Sequence, residues 1–125
     1  MKFSLDNPGA LHIIRRYGVG EVQVDNQILR RSFLLSADTL VCDWPPQALQ
    51  QLTDIHIEQA AALQPELVVL GVGSRQRFPP LSTVAPLYRR RIGIEVMTTD
   101  AACRTYNILR SEDRRVVVAM FMLER

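Results

Sequence analysis

The run Val116–Met122 restricts the fold of this chain more than any other segment, because every residue in it is apolar. A strand with one face in water alternates apolar and polar residues, whereas a strand covered on both faces is apolar throughout. The run therefore predicts a central strand with a layer of structure on each side. A shorter run at Leu67–Leu70 has the same character and predicts a second buried strand.

Helical patterns separate these runs from a third strand, predicted at Ile94–Met97. Capping residues and breakers then set the expected helix bounds. The first helix is predicted to run from an Asp54 cap to about Leu63. The second is predicted to begin at a Thr83 cap, with Pro86 in its first turn, and to run to the arginines before Gly93. The third is predicted to begin at Thr99 or Asp100 and to carry Ala102, Cys103, Tyr106 and Leu109 on one stripe.

The first third of the chain reads as β structure. Val22 and Val24 alternate with polar residues, and Asp25-Asn26-Gln27 is a plausible hairpin turn before Ile28. Further short strands are expected at Phe33–Leu35 and Leu40–Cys42, the second ending before the prolines at 45 and 46.

Together these segments predict an α/β fold with a sheet and helices in three layers. The 125 residues fall within the usual size of one domain, so residues 1–125 are expected to form a single domain. The hydrophobic share of 47% excludes intrinsic disorder. The pattern would make the last three strands parallel through right-handed crossovers. The predicted core includes Val68, Leu70, Val96, Val118 and Met120.

The basic residues are numerous, but acidic residues nearly balance their charge. Of the 15 bases only Lys2 is a lysine, and 13 acids leave a net charge of +2. The arginine clusters are spread along the chain, whereas a nucleic-acid binder normally has a basic stripe and a larger net charge. We therefore predict no specific binding to nucleic acid.

The cysteine spacing and the hydropathy pattern indicate the cellular compartment in which the protein is expected. Cys42 and Cys103 form no CxxC pair, and no His/Cys spacing suggests a metal site. No apolar run approaches the roughly 18 residues of a membrane span. Met1–Gly9 has neither an apolar signal core nor an Arg-rich amphipathic stretch, which argues against secretion and mitochondrial import. A reduced cytoplasmic setting fits best.

One region is a candidate ligand site. Gly71-Val72-Gly73 follows a predicted strand, as in phosphate-cradling turns, but position 76 is Gln where a dinucleotide fingerprint has its third Gly. A tight structural turn at a strand end is the favoured interpretation of these glycines, and a ligand-contacting loop is the alternative. If a small molecule binds, the residues expected to contact it lie in this loop and at the start of the third helix, where strands end and backbone N–H groups are free. They are Gly71, Gly73, Arg75, Arg77, Thr98, Thr99 and Cys103.

No catalytic group is predicted. Cys103 lies near a helix start, where a thiol pKa is lowered, but its place on an apolar stripe favours a buried structural thiol. Thr98 and Thr99 suit helix capping as well as ligand binding. The sequence indicates no metal and no cofactor.

One set of segments is more specific than any catalytic pattern. Its segments are Pro65–Gly73, Gly93–Thr99, Ala101–Leu109 and Glu112–Val118. In this order they resemble a family of small single-domain proteins of unknown biochemical activity, chiefly its proteobacterial branch. The family includes a mitochondrial assembly factor for respiratory complex I and an animal protein associated with adipogenesis. The resemblance covers nearly the whole chain and implies a three-layer α/β fold with a mixed central sheet and an added β layer from the first third. A mixed sheet leaves the direction of the final strand open.

Two departures from that family matter. It often has Gly-Thr-Gly where this chain has Gly71-Val72-Gly73, so a hydroxyl is missing from the candidate ligand loop. It often has Glu-Gly-Arg where this chain has Glu112-Asp113-Arg114, so Asp113 is expected in a turn conformation that Asp tolerates better than most residues.

These observations rank three classes of function for the chain. A non-enzymatic binding or assembly protein whose partner is another protein comes first, because the resemblance includes an assembly factor and no catalytic constellation is visible. A small-ligand binder or enzyme using the cleft near Gly71, Gly73, Thr99 and Cys103 comes second. RNA binding through arginine comes third.

Overall fold

The two apolar runs form neighbouring strands in the middle of a five-stranded sheet. The structure is a computed structural model, and it describes residues 11–125. The expectation drawn from Met1–Gly9 concerns residues outside that range. The strands are β1 (Ile14–Gly18), β2 (Glu21–Val24), β3 (Gln27–Leu29), β4 (Phe33–Leu35), β5 (Leu40–Val41), β6 (Leu67–Gly71), β7 (Gly93–Met97) and β8 (Val116–Met120), and the helices are α1 (Asp54–Ala61), α2 (Leu81–Arg89) and α3 (Thr99–Ser111).

The main sheet is mixed. Its strand order is β5-β4-β8-β6-β7, with β6 parallel to both β7 and β8, and with β4 antiparallel to β8 and to β5. The last three strands are therefore parallel, which settles the direction of the final strand that the sequence left open. The β4–β8 pair makes the sheet mixed, which is what the family resemblance implies.

Strands β1, β2 and β3 form a separate antiparallel sheet. The predicted hairpin turn is present between Val24 and Gln27, and Asp25 has a φ of 53° there. A positive φ suits the hairpin turns that match strand twist, and Asp tolerates it better than most residues.

The five-stranded sheet separates two hydrophobic cores. On one face Val68, Leu70 and Val117 belong to the first core, which is shared with α1 and α2. On the other face Val69 and Val118 contact a core shared with α3 and the small sheet. The fold thus has the expected three layers, with β1–β3 added beside α3.

Four of the five predicted core residues, Val68, Leu70, Val118 and Met120, are fully buried. Val96 is only half-buried. The difference arises because β7 lies at the edge of the sheet, where no further strand from residues 11–125 pairs with it.

The predicted N-caps are each displaced. Thr53, not Asp54, caps α1, and its N–H donates to His56 Nδ1 at 3.1 Å. Thr98 precedes the first residue of α3. Each cap is displaced by one residue because neighbouring polar residues can serve equally well as the N-cap.

The start of α2 is displaced further. The helix begins at Leu81 after an N-cap at Pro80, so Pro86 lies inside the helix and not in its first turn. Val84, Pro86 and Leu87 are buried, whereas the added residues Leu81 and Ser82 are exposed. Tertiary packing therefore holds Pro86 inside the helix against the local preference of proline.

The end of α2 follows a Schellman pattern. Ile92 N–H donates to Leu87 O at 2.9 Å and Arg91 N–H donates to Tyr88 O at 3.1 Å, while Arg91 has a φ of 57°. The helix therefore ends at Arg89 with an arginine in the position that glycine usually occupies, and Gly93 already belongs to β7.

Candidate functional site

The glycine turn after β6 is held by the first residue of α3. Gly73 has a φ of 98°, its N–H donates to Thr99 Oγ1 at 2.8 Å, and its carbonyl accepts from Thr99 N–H at 2.9 Å. Thr99 is fully buried, and its hydroxyl donates to Phe121 O at 2.6 Å. One hydroxyl therefore joins the ends of β6 and β8 to the start of α3.

Gly71 permits a close approach between α3 and the sheet. A Cβ at this position would lie 2.6 Å from Met120 Sδ and 3.0 Å from Ala102 Cβ. Such distances are shorter than van der Waals contact, so a side chain here would push Ala102 away from β6.

The first turn of α3 is occupied by a carboxylate of the chain itself. The pKa of Asp100 is lowered chiefly by a hydrogen bond from the Thr98 side chain, and further by the N–H groups of Asp100 and Ala101 and by the charge of Arg104. Partial burial opposes this shift. The first-turn amides of α3 therefore already face a negative charge of the chain itself, which disfavours a second anion at this helix start.

Cys103 is buried next to this turn, as predicted. Burial raises the pKa of its thiol to about 12, and the Asp100 carboxylate acts in the same direction, whereas Arg104 opposes it. A thiol with this pKa is almost entirely protonated at neutral pH, so its nucleophilicity is low. Cys42, by contrast, is exposed.

The arginines of the predicted site lie apart from these buried groups. Arg75 is exposed on the loop after Gly73, and Arg77 is half-buried. Arg77 lines a cavity of about 110 Å³ together with Val72, Phe121 and Glu124. The fold therefore brings Gly71, Gly73, Thr99 and Cys103 together in the interior and leaves the two arginines nearer the surface.

A cavity of about 270 Å³ lies at the opposite end of the parallel strands. Its lining carries three arginines, Arg110, Arg114 and Arg115, and two acids, Asp38 and Asp113. Arg114 pairs with Glu66 at 3.2 Å, so most of the positive charge at the cavity is offset by neighbouring carboxylates. The buried Nε of Arg110 has no hydrogen-bond partner among residues 11–125.

An apolar groove that the sequence analysis missed runs between α2 and the edge strand β7. It has a volume of about 440 Å³, and Leu81, Val84 and Tyr88 form one wall at helical spacing. Phe78 closes one side, and Ile94 and Val96 of β7 form the other wall. Phe78, Leu81 and Tyr88 are 72%, 69% and 57% exposed.

The groove was missed because the displaced start of α2 concealed its pattern. With a helix beginning at Thr83, Leu81 belongs to a loop, and only two members of the stripe remain. The signal was the spacing of Leu81, Val84 and Tyr88, which places them on one helix face once the helix begins two residues earlier.

Over residues 11–125, no group of three His, Cys, Asp or Glu side chains is arranged to hold a metal ion. In the same part of the chain, every helix is too short or too polar to cross a membrane.

The profile of a protein family described as "Protein of unknown function (DUF498/DUF598)" matches residues 14–121. Among solved structures, a protein from Bordetella parapertussis is 37% identical with a TM-score of 0.87, and the alignment covers 92% of this chain and 98% of the other. A protein from Xanthomonas campestris is 41% identical with a TM-score of 0.83, covering 98% and 92%.

Curated relatives match over shorter stretches. The "13 kDa major membrane protein" of Francisella tularensis is 32% identical over 68 residues, which cover 54% of this chain and 55% of the relative. "NADH dehydrogenase [ubiquinone] 1 alpha subcomplex assembly factor 3" of Danio rerio is 35% identical over 85 residues, covering 61% and 49%. The protein of the same name from Drosophila melanogaster is 25% identical over 84 residues, covering 64% and 43%. The matched stretch is thus about half the length of each of these relatives.

Proposed function

The chain belongs to the DUF498/DUF598 family of proteins of unknown function, and from this premise we propose that it is a single-domain, non-enzymatic binding protein of the assembly type whose partner is another protein. Two relatives are named as assembly factors of NADH dehydrogenase. Their names support an assembly-type role for this chain and leave its own partner to be identified.

The groove beside β7 carries the proposal. Phe78, Leu81 and Tyr88 hold large apolar side chains in solvent within one surface, and such surfaces on soluble domains commonly mark interaction sites. Covering them with an apolar partner surface would release ordered water, at roughly 25 cal/mol for each Å² of apolar area buried. No comparable gain is offered by the isolated exposed residues Ile55 and Ile108, which lie on different helices.

A small-ligand or enzymatic role at Gly71, Gly73, Thr98, Thr99 and Cys103 takes second place in this proposal. The polar groups of Gly73 and Thr99 already bond to each other, and the Cys103 thiol is buried with a raised pKa. Amide shift mapping with inorganic phosphate and nucleotides tests this alternative. Saturable shifts confined to Gly71–Arg77 and Thr99–Cys103 would favour it over protein binding.

The proposal includes a cytoplasmic location, on the grounds of cysteine use and hydropathy. The Francisella relative is named as a membrane protein, so the location needs its own test. Fractionation of cells that express the tagged chain at native level checks it, with recovery in the soluble fraction as the expected result. Recovery with membranes after a high-salt wash would contradict a cytoplasmic location.

A matched pair of double variants tests the function. Leu81→Ser/Tyr88→Ser removes apolar groups from the groove, and Ile55→Ser/Ile108→Ser removes equally exposed groups elsewhere. Leu81 and Ile55 are both 69% exposed, and Tyr88 and Ile108 are both 57% exposed. Affinity capture from native lysate, read by mass spectrometry, should recover the same protein with the wild type and the control and lose it with the groove variant. Recovery of no protein, or equal recovery with both variants, contradicts the proposal.

A further inference from the structure

We propose that the partner binds by adding an extended segment to the free edge of β7, with apolar side chains in the groove and acidic residues at both of its ends. This inference rests on the proposed function and specifies the chemistry of the partner. Its recognition unit is a strand with alternating apolar residues flanked by Asp or Glu.

The backbone of β7 presents its hydrogen-bonding groups outward at alternate residues. Gly93 N–H donates to Glu66 O and Met97 O accepts from Val72 N–H, so the odd-numbered residues of β7 face β6. Because bonding direction alternates along a strand, the N–H and C=O groups of Ile94 and Val96 face away from the sheet. β7 is the last strand in the sheet order, so no strand among residues 11–125 pairs with these groups.

Gln76 limits how far an added strand can extend. Its side-chain amide donates to Val96 O at 2.9 Å. The N–H and C=O of Ile94 and the N–H of Val96 remain directed outward for a partner. A side chain that protects part of an edge is a common way to prevent uncontrolled sheet extension, and the open part is then available for specific pairing.

The groove favours an extended segment over a helix. A helix satisfies its own backbone groups internally, so docking it here would bury the N–H and C=O of Ile94 and the N–H of Val96 without partners, which is unfavourable. An added strand pairs with those groups and directs alternate side chains toward Leu81, Val84 and Tyr88.

The charges around the edge favour an acidic segment. Arg91 lies two residues before the start of β7, and Arg75 lies next to Gln76 at the other end. Both are exposed, and neither has a carboxylate within 4.0 Å among residues 11–125. Glu95 is the one carboxylate that lines the groove. Acids at the two ends of the added strand would face these arginines.

A second copy of this chain is a poorer occupant of the same edge. It would bring its own Arg75 and Arg91 toward those of the first copy. In the two-fold antiparallel register that pairs Ile94 with Val96, the two Glu95 side chains would lie directly opposite each other, and like charges at that position destabilise a strand pair. A heterologous acidic strand avoids both conflicts.

The first experiment selects short random peptides displayed on phage against the immobilised full chain. We expect enrichment of peptides in which apolar residues alternate and Asp or Glu flanks them. Absence of enrichment, or enrichment of basic or helix-patterned peptides, overturns the inference. The dissociation constant of the enriched peptide is then measured by fluorescence anisotropy for the wild type and the variants.

The main variant is Ile94→Pro, which removes the outward N–H without removing a bond to β6. Ile94→Ala is its matched control, because it also loses the side chain but keeps the N–H. We expect about tenfold weaker peptide binding, or a larger loss, for Ile94→Pro than for Ile94→Ala. Equal binding by these two variants, each confirmed as folded by its melting transition, overturns strand addition.

A charge-reversal pair keeps the inference testable if Ile94→Pro does not fold. Arg75→Glu/Arg91→Glu should weaken binding of the acidic peptide by about tenfold, whereas Arg15→Glu/Arg31→Glu, at exposed positions near the small sheet, should leave it within about twofold. A dimer that forms with rising concentration and is lost in Ile94→Pro would identify a second copy as the occupant and overturn the acidic partner.

The outcomes also separate this inference from the proposed function. If the captured protein is lost with Leu81→Ser/Tyr88→Ser but retained with Ile94→Pro, the groove binds a protein by its apolar surface and strand addition is wrong. If the captured protein is retained by both, the proposed function of the groove fails as well.

Discussion

The hydroxyl of Thr99 accepts a hydrogen bond of 2.8 Å from the amide of Gly73 in the interior of the protein. The same hydroxyl donates to Phe121 O. The turn after β6 therefore depends on a side chain from a helix that follows it by more than twenty residues along the chain.

Replacing Thr99 by Val should destabilise the protein substantially. The change keeps the shape of the side chain but leaves the buried Gly73 N–H without its acceptor and Phe121 O without its donor. Each orphaned group costs about 1–3 kcal/mol. Urea denaturation measures the loss, and Thr99→Ser, which retains the hydroxyl, should lose markedly less. Equal losses would show that the hydroxyl is unimportant.

Leu70→Ala should cost more stability than Val96→Ala. Leu70 is fully buried in the first core, and truncation of such a side chain costs about 2–5 kcal/mol. Val96 is half-buried on the edge strand, so solvent already reaches part of its surface and a smaller cavity forms. Denaturant titrations measure the free energy of unfolding of both variants. A larger loss for Val96→Ala than for Leu70→Ala would contradict the burial of these two side chains.

The two cysteines should react with a thiol reagent at very different rates. Cys42 is exposed, whereas Cys103 is buried and its thiol pKa is raised to about 12. At neutral pH, mass spectrometry should find rapid labelling of Cys42 and slow labelling of Cys103, which becomes rapid only in denaturant. Fast labelling of Cys103 in the folded protein would instead favour the enzymatic alternative.

Alkaline pH should destabilise the fold. In the unfolded chain Cys103 loses its proton near its ordinary pKa of 9.0, whereas in the folded protein burial raises that pKa to about 12. Burial also raises the pKa of Tyr106 above its ordinary value of 10.0. Above pH 9 the folded state thus holds more protons than the unfolded state, so the free energy of unfolding falls toward pH 12. Cys103→Ala should show a shallower fall in pH-dependent denaturation, and an unchanged slope would contradict this role.

Nucleic acid should not bind specifically. Several arginines form ion pairs, including Arg90 with Glu58 at 2.7 Å and Arg114 with Glu66 at 3.2 Å, which reduces the charge that they offer to a phosphate backbone. Filter binding or anisotropy with RNA and duplex DNA at physiological salt should find no submicromolar complex. Tight binding with a steep salt dependence would contradict this prediction.

The sequence alone determined the layers and strands, because they follow from patterns that each segment carries within itself. The uninterrupted apolar runs at Leu67–Leu70 and Val116–Met122 could be buried only between two layers, and both form strands inside the sheet. Asp113, which stands where the resembling family often has Gly, has the predicted turn conformation with a φ of 60°. The buried Cys103 followed from its helical stripe in the same way.

Tertiary structure alone decided where α2 begins and which strand lies at the edge. α2 begins at Leu81, and the burial of Val84, Pro86 and Leu87 holds the proline inside the helix, which no local pattern predicts. Val96 reads as a core residue, but strand order leaves β7 with one neighbour and Val96 half in solvent. The groove depends on both features, because α2 forms one of its walls and β7 forms the other. Long-range packing brings these two elements together, and the composition of neither segment predicts that contact.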